Sequence, residues 1–154
     1  MTPEAFAAKI AEWGRGTMIG SHGTRFETAG QGRARAYLDF KPELTQLTGL
    51  FHAGAIIALA DETATAAAMW ETNPTGEFRP ELFPLTLQMS ANLIRNTNQG
   101  TLVAEAEIVH RGRTTLVVDV RVSADRQRLL AKFVATLLAP AHPAVTATTD
   151  RPRS

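Results

Sequence analysis

The stretch LFHAGAIIALADETATAAAMWE, residues 50–71, is alanine-rich and contains no proline, so it predicts one long helix. Its residues are apolar almost all the way round. A helix of that kind is buried on most of its sides, so other elements must wrap it.

The flanking sequence supplies the wrapping. After Pro84 the pattern changes to a period of two. Leu85, Leu87, Met89, Ala91 and Leu93 alternate with Thr86, Gln88, Ser90 and Asn92, and three further runs follow over 102–108, 116–122 and 129–137. Short connections predict that these four strands form an antiparallel meander. Upstream, two strands are expected between Thr24 and Phe40, broken at Gly30-Gln31-Gly32. In the second, Ala34, Ala36, Leu38 and Phe40 face inward and Arg33, Arg35, Tyr37 and Asp39 outward. Phe6, Ile10 and Trp13 share a helical face behind Pro3, and Gly14, Gly16, Gly20 and Gly23 end that short helix. Residues 72–84, with Pro74, Pro80 and Pro84, read as a loop. The order of elements describes an α+β chain in which an antiparallel sheet curls around one central helix, the hotdog fold. Residues 1–139 form its single domain, and 140–154, rich in Ala, Thr and Pro, are expected to be a flexible tail.

Composition narrows the function. The 154 residues fit one domain with a sizeable core. Sixteen Lys and Arg against fifteen Asp and Glu leave a formal charge of +1 without a basic block, so no nucleic-acid partner is expected. The absence of cysteine excludes disulfides, thiolate metal sites and a cysteine nucleophile. His22, His110 and His142 lack metal-ligand spacing, and no metal is expected. There is neither a GxSxG nucleophile elbow nor a GxGxxG phosphate loop. With no signal-peptide pattern and no run long enough to span a bilayer, the expectation is a cytoplasmic protein that does not enter membranes.

Within the long helix, the polar residues carry the interest. Asp61 and Thr65 are one turn apart and share a face with Gly54, Ile57, Ala58 and Ala68, while Glu62 points about 100° away. A carboxylate and a hydroxyl facing small residues can hold a reacting atom and a water; a solvated stripe or an ion pair is the competing reading. The first turn, at His52 and Ala53, offers free N–H groups at the positive end of the helix dipole, suited to a developing oxyanion. There the alternative is that His52 serves only as a cap.

The segment Gln46-Leu-Thr-Gly-Leu-Phe-His52-Ala-Gly54, followed by Asp61 and Thr65, resembles the hotdog acyl-CoA thioesterases of the 4-hydroxybenzoyl-CoA and phenylacetate-degradation type. In those proteins an amide residue precedes the His by six positions and an acid follows it by nine. The resemblance implies that Asp61 is the nucleophile or general base and that the Ala53 N–H binds the thioester oxygen. It implies that the Gln46 amide polarises or positions that oxygen, that Thr65 orients the water or the carboxylate, and that His52 shapes the turn. Gly54 keeps the second position of the His-Gly-Gly motif, whereas Ala53 departs from its first. Arg95, Arg111, Arg113, Thr114 and Thr115 are implied to line the path of pantetheine and the CoA phosphates, a role that Gly112 and guanidinium chemistry also suit; solvated arginines at a tight turn are the plain alternative.

The resulting expectation is a thioesterase acting on a small or aromatic acyl-CoA, with no cofactor beyond the coenzyme A of the substrate. A hydratase or dehydratase of the same fold is disfavoured because Asp61 follows His52 by nine residues, not five. A non-catalytic acyl-CoA binder would need neither Gln46, Asp61 nor Thr65. Asp61 lies about 13 Å along the helix from its first turn, too far for Gln46 and Asp61 of one chain to grip one carbonyl. A homodimer is therefore the expected minimal active unit, and a dimer of dimers, a homotetramer, the expected assembly.

Overall fold

In a computed structural model, which describes residues 1–124 and 128–140, the central helix α3 runs from Ala53 to Thr72. His52 starts it: its backbone is extended, and its Nδ1 accepts a hydrogen bond from the Gly54 N–H at 2.8 Å. A Cβ on Gly54 would lie 2.9 Å from that nitrogen, so the glycine makes room for the cap. The helix stops at Asn73, whose buried amide donates to the Leu82 carbonyl and accepts from the Arg79 N–H, with Pro74 next in the chain.

Around α3 curls one sheet made of β1 (Arg25–Gly30), β2 (Arg33–Asp39), β3 (Leu85–Leu93), β4 (Thr101–Arg111), β5 (Thr115–Ala124) and β6 (Arg128–Leu138). Its order is β1-β2-β4-β5-β6-β3, with every pair antiparallel. The expected α+β hotdog architecture is what the chain adopts. Small residues on both sides make the close wrap possible: Ala60, Ala64 and Ala67 of the helix are fully buried, and so are Ala36, Ala104, Ala131 and Ala135 of the strands. Val118, Val120 and Val122 of β5 are fully buried, and each contributes about 1.5–3 kcal/mol by leaving water. Phe40 and Phe51 stack edge-to-face at 5.2 Å by the start of α3, and Phe6 and Trp70 at 5.3 Å near its end.

Three expectations need correction. The four late strands are not one meander: only β4, β5 and β6 are, while β3 lies beyond β6 at the edge. The curl explains how residues 94–100 span the crossover, because they pass over the start of α3. There the Phe51 N–H donates to the Thr97 carbonyl and the Asn96 side chain donates to the Phe51 carbonyl. Second, β3 has no buried apolar face among the described residues: Leu85, Leu87 and Leu93 are 54%, 58% and 45% exposed on this edge strand. Third, the glycine-rich segment after α1 (Pro3–Trp13) folds into a short helix, α2 (Met18–His22), closed by Gly23 in the left-handed region at φ 84°. From residue 141 onward, the tail lies outside the described residues.

Candidate active site

The wrapping leaves one stripe of α3 partly open: Gly54, Ile57, Asp61 and Thr65, the face marked out by the helical period. Asp61 is half-buried, and its Oδ1 accepts a hydrogen bond of 2.6 Å from the Thr86 hydroxyl on β3. Thr65 makes no side-chain hydrogen bond among the described residues. Thr86 was not among the expected site residues, because alternation places it with the outward set. The register slips between Thr86 and Gln88, so Thr86 stands opposite buried Leu137 and turns toward the helix. A bulge is the one device that breaks a period of two, and nothing in the strand's composition announces it.

Glu62, on the next side of the helix, meets a drier setting. Its Oε2 is buried without a hydrogen-bond partner among the described residues, and so is the Thr24 hydroxyl. Burial pushes this carboxyl above the ordinary glutamate range, the charge of Asp61 adds to the shift, and the nearby Thr24 hydroxyl opposes it.

At the start of α3, the Ala53 N–H has no acceptor among the described residues, whereas the Gly54 N–H is taken by His52 and the Ala55 N–H by the His52 carbonyl. Gln46 lies in the loop leading into the helix. Its Nε2 donates to Thr48 Oγ1 at 2.7 Å and its Oε1 accepts from the Thr48 N–H, so its amide is engaged in its own turn. Arg95 is at the same end, with its Nη1 on the Leu129 carbonyl.

The remaining expected residues lie at the opposite end of the helix. Arg111 pairs with Glu71 of the last turn at 3.4 Å. Arg113 and Thr114 are exposed in the β4–β5 turn, which the Gly112 N–H closes on the Thr115 carbonyl at 2.8 Å. One chain thus divides the set into three: Gln46, His52, Ala53, Gly54 and Arg95 at the start of α3, Asp61 and Thr65 midway, and Arg111, Arg113, Thr114 and Thr115 beyond its end. Ala53 and Asp61, eight residues apart, are separated by roughly 12 Å along the axis.

An apolar cleft of ≈ 300 Å³ opens beside Asp61, Glu62, Thr65 and Thr86. A wider concavity, ≈ 670 Å³, lies on the outer face of the sheet between cross-strand ion pairs such as Arg33–Glu107. It shares no residue with the helix face, and Arg33 and Arg35 in its lining are paired with Glu107 and Glu105 across the strands. Among the described residues no cluster of three acidic or histidine side chains is placed to hold a metal ion. No helix is long and apolar enough to cross a membrane.

A curled antiparallel sheet around an alanine-rich helix, with a carboxylate on a partly open helical stripe, defines a protein of the hotdog class. The chain belongs to the thioesterase superfamily, whose family model matches residues 48–131, and it is a thioester hydrolase. It is 32% identical over 110 residues to a Mycobacterium tuberculosis protein named as an esterase, covering 71% of this chain and 76% of that one. The structure of that esterase matches with a TM-score of 0.72 at 29% identity, over 81% and 98% of the two chains. A 1,4-dihydroxy-2-naphthoyl-CoA hydrolase from Listeria monocytogenes is 25% identical over 100 residues, 65% of this chain and 76% of the other. A Pseudomonas aeruginosa thioesterase shares the fold at a TM-score of 0.77 and 24% identity, over 87% and 93% of the chains.

Proposed function

We propose that this hydrolase acts on acyl-CoA thioesters with a small or aromatic acyl group, using Asp61 as its carboxylate and a second copy of the chain to complete the site. The observation that carries this reading is an unclaimed first-turn N–H at Ala53 and a half-open carboxylate at Asp61, on one helix but too far apart to act on the same carbonyl. A two-fold partner with its α3 antiparallel brings the Ala53 N–H and the Gln46 amide of one chain to Asp61 of the other, twice per dimer. The exposed edge strand β3 and the uncovered Ile57 give such a partner a place to pack. Support for a CoA thioester comes from the relative named as a naphthoyl-CoA hydrolase. The homotetramer is then two such dimers, and a CoA substrate goes with a cytoplasmic setting.

In this arrangement the substrate carbonyl oxygen rests on the Ala53 N–H at the positive end of the helix dipole. As general base, Asp61 takes a proton from water while the oxygen attacks the acyl carbon. The tetrahedral oxyanion collapses, the C–S bond breaks, and the thiolate gains a proton to leave as coenzyme A. As nucleophile, Asp61 instead forms an acyl anhydride that water then opens; the products are the same acid and thiol. The Thr86 hydroxyl fixes the carboxylate in either route. Coenzyme A is half of the substrate here, not a cofactor.

Thiol release from a panel of acyl-CoAs tests the reading. Asp61→Asn keeps an oxygen for the Thr86 hydroxyl, so the variant should fold as the parent does and lose at least ~10²-fold in hydrolysis, the scale of a removed base. Activity within a few-fold of the parent would show that Asp61 is not the carboxylate and would move attention to Glu62.

A further inference from the structure

The apolar cleft beside Asp61 draws part of its wall from outside the region that matches the superfamily. Met69, Phe83 and Leu85 belong to residues 48–131, but Ile10 of α1 and Ile19 of α2 do not. Ile10 is 3% exposed and anchored in the core. Ile19 is held from several directions. Its carbonyl accepts from both the Gly23 and Thr24 N–H groups, at 3.0 and 3.2 Å, and its Cγ2 packs where a side chain on Gly14 would stand, 3.0 Å from the Cβ position. The Thr17 hydroxyl ties the preceding turn to the Gly14 carbonyl at 2.7 Å. The short helix α2 is thus a built wall, and its side chains divide between two concavities. Ile19 faces the cleft with Asp61, whereas Met18 and His22 line a separate one with His52 and Glu43.

The geometry points to Ile19 as the residue that sets acyl length: the N-terminal helices close the far side of the acyl cleft, and this chain selects a compact apolar acyl group by the reach of that side chain. The inference rests on the acyl-thioester reading above. At ≈ 300 Å³, the cleft is at the lower end of the roughly 300–1,000 Å³ typical of small-molecule sites. Asp61 shares the lining of the cleft with apolar Met69, Phe83 and Ile19, so an acyl chain held beside Asp61 is bounded by these side chains. In a hydrophobic pocket each methylene that fits or fails to fit is worth roughly 10- to 200-fold in discrimination, so one side chain in the lining of the cleft is enough to move the preferred length.

The test measures binding separately from hydrolysis, by calorimetry with non-hydrolysable thioethers, S-propyl-, S-hexyl- and S-decyl-CoA, on the full chain. Ile19→Ala should tighten S-decyl-CoA relative to S-propyl-CoA by about 10-fold against the parent. Ile19→Phe should shift the same ratio the other way, and both should leave S-propyl-CoA within about threefold, since a short chain does not reach the wall. Ile19→Val supplies the smaller step if Ile19→Ala loosens the N-terminal segment. An unchanged ratio in Ile19→Phe and Ile19→Val, or equal losses across the three ligands, would overturn the assignment. Hydrolysis of the matching acyl-CoAs, followed alongside, separates the two claims. A parent that binds with the length shift but releases no thiol contradicts the catalytic reading alone. A parent that hydrolyses without any shift contradicts the role of Ile19 alone, and a parent that binds none of the thioethers contradicts both.

Discussion

Asp61 and Glu62 are neighbours in the chain with opposite surroundings, and the roles proposed for them follow that contrast. Asp61 faces the open stripe with a hydroxyl donor from Thr86, which suits a carboxylate that must stay available to solvent and substrate. Glu62 turns into apolar packing, where its Oε2 finds no partner among the described residues. Because burial, then the charge of Asp61, raises the Glu62 carboxyl above its usual 4.5, the folded chain binds this proton more tightly than the unfolded one. Stability from this group is complete at pH values below 4.5 and is lost as pH rises through the elevated folded value. Glu62→Gln, a standing imitation of the neutral form, should therefore unfold at a higher temperature than the parent at pH 8, and the gap should close as pH falls below the ordinary glutamate range. Melting curves of the two proteins across that range check this; a gap that widens toward acid would mean that Glu62 is charged and stabilising in the fold. The face shared by Asp61 and Thr65, and the turn of Glu62 away from it, were legible from the helical period. The partner Thr86 was not, because its direction depends on a register slip that belongs to the pairing with β6 and not to the strand itself.

Among elements, the turn between β4 and β5 is set apart from the rest of the site. It carries Arg111, engaged by Glu71, and Arg113, which has no ion pair among the described residues. Such a free guanidinium is available to a phosphate. Arg113→Ala should raise KM for an acyl-CoA more than for the acyl-pantetheine that lacks the nucleotide phosphates, since only the first substrate has a contact to lose. Equal effects on both substrates would reject the phosphate role. The strands themselves could be read almost entirely from alternation: the inward sets of β2, β4, β5 and β6 include Leu38, Ile108, Val120 and Phe133, all buried. Alternation says nothing about neighbours, however, so β3 reads like its fellows while it sits at the edge, its leucines exposed. The helix α2 escaped because glycines at 14, 16, 20 and 23 read as breakers. Gly16 and Gly23 do have positive φ and bound the helix, but Gly20 lies inside it, and its cost is a local propensity that packing overrides.

At the scale of the whole molecule, the proposed site draws on two copies of the chain. The distance along α3 between Ala53 and Asp61, the exposed leucines of β3 and the uncovered Ile57 are the features on which that proposal rests. The central claim is therefore that each thioester is held by the Gln46 and Ala53 end of one chain and attacked through Asp61 of its partner. Unfolding and refolding Gln46→Ala and Asp61→Asn chains together tests it most directly. In a mixed dimer one site collects both changes and the other has neither, and random pairing makes about half of the dimers mixed. The refolded mixture should regain roughly a quarter of parental thiol release. Recovery no greater than the mean of the two separate variants, with subunit exchange confirmed, would place Gln46 and Asp61 in the same site of a single chain and contradict the account.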